Sequence, residues 1–141
     1  VTGRVVVDAS GWLEYLADGP NAALFAPALE SGEGLLVPSV VVMKVFRRVL
    51  DELGEDAALR AAAVLSAGVP VPLDATLALQ AARLASAHRL SLTNAAVLAA
   101  AQAHGAMLWS QDPEFEGVAG VRYLPRRKLK PVPGGAPPVR T

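Results

Sequence analysis

Five short aliphatic runs punctuate the chain, and most of them stop at a polar residue or a proline. They are Val5-Val6-Val7 before Asp8, Gly34-Leu35-Leu36-Val37 before Pro38, Val69 to Leu73, Ala106 to Trp109 before Ser110, and Val121 to Leu124. These runs are short and apolar, as strands of a parallel sheet covered by helices are. Segments of helical period lie between them. One follows Asp8 through Trp12, Leu13, Tyr15 and Leu16, and another runs from Asn21 to Leu29. The next spans Ser39 to about Leu53 and ends at Gly54, and Asp56 to Ala67 continues to Gly68. Two alanine-rich helices follow, Ala75 to His88 and Leu92 to His104. The alternation predicts an α/β chain folded as a three-layer α/β/α sandwich around a mainly parallel central sheet. The proline-limited run Val69-Pro70-Val71-Pro72-Leu73 reads as an edge strand or a short one, because proline cannot donate to a second neighbour.

With 141 residues, one domain is expected. The net charge of zero conceals a division. Through Leu124 there are 8 Lys/Arg against 13 Asp/Glu, a balance of −5, and from Pro125 onward there are 5 basic residues and no acid. Residues 1–124 therefore read as the folded body. Residues 125–141 read as a basic, proline- and glycine-rich tail. No apolar run approaches the roughly 20 residues of a membrane span, so no membrane association is expected. The start does not read as a secretory leader and there is no cysteine, a combination that fits the cytoplasm.

In folds of this kind ligands gather beyond the carboxyl ends of the strands. Asp8 closes the first run, and Asp112 follows the fourth by one turn. Asn94 lies in the first turn of the helix opened by Ser91, and Lys44 lies just over one turn into the helix opened by Ser39, whose hydroxyl is expected to cap it. Convergence of acidic and polar positions from four segments is the pattern of a Mg²⁺ or Mn²⁺ site, in which the metal activates water and holds a phosphodiester.

The blocks RVVVDASGWLEYL, LLVPSVVVMKVFRRVL, HRLSLTNAAVLAAAQAHGAMLWSQDPEF and VRYL resemble, in order and spacing, those of PIN-domain nucleases. The nearest likeness is to the VapC-like toxins of bacterial toxin-antitoxin pairs. The resemblance implies a PIN-like fold, Mg²⁺-dependent RNA cleavage, a cognate antitoxin and a homodimer. It also implies four acidic metal-binding positions. Asp8 matches the first, and Asp112, with Ser110 before it, matches the last. Ser10, Ser110, Arg47 and Arg48 are the residues expected to face an RNA substrate.

The two middle positions depart from that pattern. Lys44 stands where the family has glutamate, and Asn94 where it has aspartate. An ammonium only donates, and a primary amide offers one neutral oxygen. A pocket of about −4 becomes one of about −1, which removes most of the attraction for a divalent ion. Weak metal binding and impaired cleavage are expected, the alternative being a pseudonuclease that binds RNA or an antitoxin without cutting. Two readings stand for Lys44: its stem lies along the apolar face with the ammonium at the rim, or the ammonium takes the metal's place between Asp8 and Asp112. Asp8 and Asn94 each have a second reading as helix-capping residues. Trp12, Phe46 and Trp109 are expected in the core.

Overall fold

The computed structural model describes residues 3–127. It contains five strands and six α-helices: β1 (Val5–Val7), α1 (Ala9–Leu16), α2 (Ala22–Leu29), β2 (Leu35–Pro38), α3 (Ser39–Leu53), α4 (Glu55–Leu65), β3 (Val69–Val71), α5 (Ala75–His88), α6 (Leu92–Ala103), β4 (Met107–Ser110) and β5 (Val121–Tyr123). All five strands pair in parallel, in the order β3-β2-β1-β4-β5. The expected α/β architecture is present, with β1 at the centre and the proline-bearing β3 at an edge. Apart from Pro125 to Arg127, the expected basic tail lies outside the described residues.

Strand position follows composition. Val5, Val6 and Val7 are wholly buried because β1 has a strand on each side and helices over both faces. Val6 sits opposite Leu36 of β2 and Leu108 of β4. The connections from β1 to β2 and from β2 to β3 step along the sheet in one direction, and the α5–α6 connection steps back to β4. With right-handed crossovers, the two sets of helices fall on opposite faces. The order reverses between β1 and β4, and the crevice where ligands collect opens beyond the carboxyl ends of that pair.

Local features fix how the helices meet the sheet. Gly11 lets α1 press onto β1 and α2, since a Cβ there would lie 2.5 Å from Val7 Cγ1 and 2.7 Å from Phe25 Cε1. Gly54, at φ +89°, ends α3 and turns the chain directly into α4, a backbone shape that L side chains resist. Trp12 and Trp109 lie in the core as expected, with Phe25, Leu65, Leu98 and Phe115.

Two expectations fail. Phe46 is only half-buried and stands outside the core cluster, because it lies on the flank of α3 between the buried Val45 and the exposed Arg47. The Ser39 hydroxyl does not cap α3. Pro38 occupies the cap position, and Ser39 Oγ accepts from the backbone N–H of Leu73 at 3.2 Å, so it ties the end of β2 to the segment after β3. Among the described residues no helix is long and apolar enough to cross a membrane.

Candidate functional site

The first half of the site is built on Asp8. The residue leaves β1 in an extended conformation and caps α1, its Oδ1 accepting from Gly11 N at 3.1 Å. Ser10 Oγ donates to the same oxygen at 2.6 Å, and Ser110 Oγ, at the end of β4, donates to Oδ2 at 2.6 Å. The capping reading and the site reading of Asp8 thus describe one arrangement. Each serine also accepts a backbone N–H, Ser10 from Gln111 at 3.1 Å and Ser110 from Asp112 at 2.9 Å. Burial pushes the Asp8 carboxyl above its ordinary pKa, against the opposing pull of these hydrogen bonds and of the Lys44 charge.

The second half is a hydrogen-bonded chain across three segments. Lys44 Nζ, half-buried on α3, donates to Asn94 Oδ1 at 3.2 Å, and Asn94 Nδ2 donates to Asp112 Oδ2 at 3.1 Å. Asp112 Oδ1 accepts the N–H of Glu114 at 3.0 Å. Asn94 also gives its backbone N–H to Ser91 Oγ at 3.3 Å, so it holds the third capping position of α6 while its side chain enters the site. Lys44 makes no ion pair with Asp8 or Asp112, and its ammonium docks on the amide between α3 and the Asp112 turn instead. The expectation that it lies directly between the two carboxylates is corrected accordingly. The neutral Asn94 oxygen is the acceptor that the ammonium uses.

Nearby acids are engaged elsewhere. Glu114 accepts the backbone N–H of Ser91 outside the pocket. Arg47 pairs with Asp51, and Arg48 with Glu52, one helical turn on along the exposed side of α3. Of the two arginines expected to face substrate, Arg48 lines a groove beside the site and Arg47 does not. That groove, about 450 Å³, runs between α1, α3 and α4 and opens onto the site at Ser10 and Gln111. Leu13, Val49, Leu53 and Val64 give it an apolar lining, while Arg48, Arg60 and Arg126 stand with Glu14 and Glu52 around it, Arg48 being paired with Glu52.

Two residues not singled out in the sequence support this centre. Asn21, fully buried before α2, donates through Nδ2 to Gln111 Oε1 at 3.1 Å and to the carbonyl of Pro125 at 2.9 Å. It thereby ties the turn between Ser110 and Asp112 to the chain leaving β5. Asn21 preceding an apolar run looks only like a helix start, and Gln111 is hidden between two more conspicuous neighbours.

A divalent ion needs several oxygen ligands with free lone pairs. Here Asp8 accepts three hydrogen bonds, both Asp112 oxygens are engaged, and the Asn94 oxygen faces an ammonium. Among the described residues no group of three or more His, Cys, Asp or Glu side chains gathers as a metal site would require. The residues present do not fit Mg²⁺ or Mn²⁺.

A five-stranded parallel sheet carries this polar centre at the reversal between β1 and β4. The family model described as PIN domain matches residues 5–121, and the chain belongs to that family. Its fold is shared with a toxin-antitoxin complex from Klebsiella pneumoniae, at TM-score 0.69 and 23% identity over 84% of this chain and 95% of that one. It is shared also with Mycobacterium tuberculosis VapC20, a Sarcin-Ricin loop cleaving toxin, at TM-score 0.65 and 19% identity over 82% and 95% of the two chains. DNA-bound VapBC from Salmonella typhimurium aligns at TM-score 0.67 and 12% identity over 88% and 98%. No curated protein sequence matches the chain.

Proposed function

We propose that this chain is a VapC-like PIN-domain endoribonuclease by descent, a toxin-type protein in which Mg²⁺-dependent RNA cleavage is impaired. The observation that carries this reading is the chain from Lys44 through Asn94 to Asp112, in which an ammonium and a neutral amide stand at two of the four positions that the resemblance assigns to metal-binding acids. Asp8 and Asp112 remain, and both are committed to hydrogen bonds within the protein. In this reading Ser10 and Arg48 meet an RNA backbone at the site mouth, and Ser110, wholly buried and bonded to Asp8, supports the site from behind.

The groove beside the site supports a second reading, a pseudonuclease that keeps its partner. Its apolar lining, bordered by charges of both signs, suits an amphipathic segment of a cognate antitoxin. The toxin-antitoxin complexes among the structural neighbours favour a protein partner over a free one. A homodimer, usual for such assemblies, and a cytoplasmic location belong to the same reading.

The deciding experiment compares RNA cleavage by this chain, with Mg²⁺ and with Mn²⁺, against the Lys44→Glu/Asn94→Asp double variant. Little or no cleavage by the native chain and recovery in the double variant are expected. Cleavage by the native chain at the rate of the double variant would refute impairment. A double variant that binds metal yet cuts no RNA, beside a native chain that still binds antitoxin, would favour the pseudonuclease.

A further inference from the structure

The charge of the chain divides just after β5. Residues 1–124 hold 8 Lys/Arg against 13 Asp/Glu, whereas residues 125–141 hold 5 basic residues and no acid. A body with that acidic excess repels a polyanion such as RNA, and the cations of α3 already share their charge with partners. Lys44 donates to Asn94, Arg47 pairs with Asp51, and Arg48 pairs with Glu52. The basic segment starts beside the site. The N–H of Leu124 donates to the Ser110 carbonyl at 2.8 Å, and the Pro125 carbonyl accepts from Asn21 Nδ2 at 2.9 Å, the same amide that holds Gln111. Arg126 then lines the groove that opens onto the site at Ser10. Arg126, Arg127, Lys128 and Lys130 all fall within five residues of Pro125. A chain of that length reaches at most about 18 Å. Four of the five cations are thus tethered around the site mouth by the covalent chain alone.

We propose that the basic segment from Arg126 to Arg140 is an RNA-binding arm, which holds the phosphodiester backbone of a single strand at the mouth of the site formed by Asp8 and Asp112. The inference rests on the RNA-directed reading of that site. Recognition by the arm is electrostatic: lysine and arginine displace the counterions condensed on phosphates, and a guanidinium binds phosphate oxygens in pairs. The acids of the groove do not hold the arm in the strand's place, since Glu52 is paired with Arg48 and Glu14 accepts the N–H of Asn21. Arg60, on the same groove, forms no ion pair among the described residues and meets the same strand. The arm gives affinity without reading bases, because nothing in it but phosphate chemistry is engaged. An acidic protein would meet the same cations. The start of the arm beside Ser10 and Ser110 favours RNA, for it places the charge where the strand has to lie.

Fluorescence anisotropy with a short labelled single-stranded RNA, in EDTA so that no metal-dependent cutting intrudes, tests the arm on three full-length chains. They are the native chain, the tail variant Lys128→Gln/Lys130→Gln/Arg140→Gln, and the body variant Arg4→Gln/Arg83→Gln/Arg89→Gln. The body variant removes the same charge from exposed positions away from the groove. The tail variant is expected to bind about tenfold or more weakly than native at about 50 mM salt, with a slope of log affinity against log salt shallower by about 2. The body variant should lose about threefold at most and keep the native slope. Equal losses in the two variants would overturn the proposal, because net charge alone would then govern binding. Absence of RNA binding by the native chain, or binding of poly-glutamate in its place, would overturn it as well. Cleavage reads the proposed function separately. In the Lys44→Glu/Asn94→Asp background the tail substitutions should raise KM and leave kcat unchanged, and cleavage with an unmoved KM would overturn the arm. A background that cuts no RNA refutes the nuclease reading while the contrast between tail and body variants still decides the arm.

Discussion

Ser110 donates its hydroxyl to Asp8 Oδ2 at 2.6 Å across the ends of two neighbouring strands, from a residue 102 positions away in the chain. Both residues are almost wholly buried, and the same hydroxyl accepts the N–H of Asp112. Ser110→Ala therefore leaves a buried carboxylate oxygen and a backbone N–H without their partner. A loss of about 1–3 kcal/mol in urea unfolding is expected. An unchanged midpoint would show that water takes over both bonds.

The pH dependence of Asp8 has a definite sign. Burial raises its folded pKa above the ordinary 3.8. The folded state thus prefers the protonated carboxyl, and the stability this contributes is fully present below about 3.8 and is lost as pH rises through the folded value. Asp8→Asn cannot ionise. The Tm of Asp8→Asn minus that of the native protein should therefore increase from pH 3 to neutral pH and then level off. Calorimetry across that range checks it, and a difference that falls with pH would reverse the assignment.

Asn21 offers both hydrogens of Nδ2 to carbonyl oxygens, while its own Oδ1 has no partner among the described residues. Asn21→Ala should cost about 2–3 kcal/mol through the two stranded acceptors. Asn21→Asp should cost more than Asn21→Ala, because it sets a carboxylate against two carbonyls in a dry site. Chemical denaturation of both variants gives the order directly.

Leu53 lines the groove and is 74% exposed, so its side chain contributes little to the core. Leu53→Glu should leave unfolding within about 0.5 kcal/mol of native. Placed on an apolar lining, the new charge should weaken an antitoxin complex at least tenfold by calorimetric titration. Undiminished binding would move the partner to another face.

Much of the fold is legible in the sequence because its signals are local. The apolar runs, the helical period and the glycines at segment ends place the strands within a residue or two, and α5 falls on Ala75–His88 as read. Asp8 and Asp112 stand out because a strand end followed by an acid is a feature of neighbouring residues. The Asp112 turn shows what is not local: its oxygens are divided between Asn94 on α6 and the next residues of its own turn.

The sequence by itself determined the parallel α/β frame and singled out Asp8, Lys44, Asn94 and Asp112 as one group. Only the tertiary structure decided that Lys44 reaches Asn94, 50 residues on, that Ser39 serves Leu73 in place of its own helix, and that Asn21 clamps Gln111 and Pro125. Periodicity says which side of a helix a residue occupies. Which donor meets which acceptor at about 3 Å depends on how separate helices and strand ends pack against one another, and that is a property of the assembled chain.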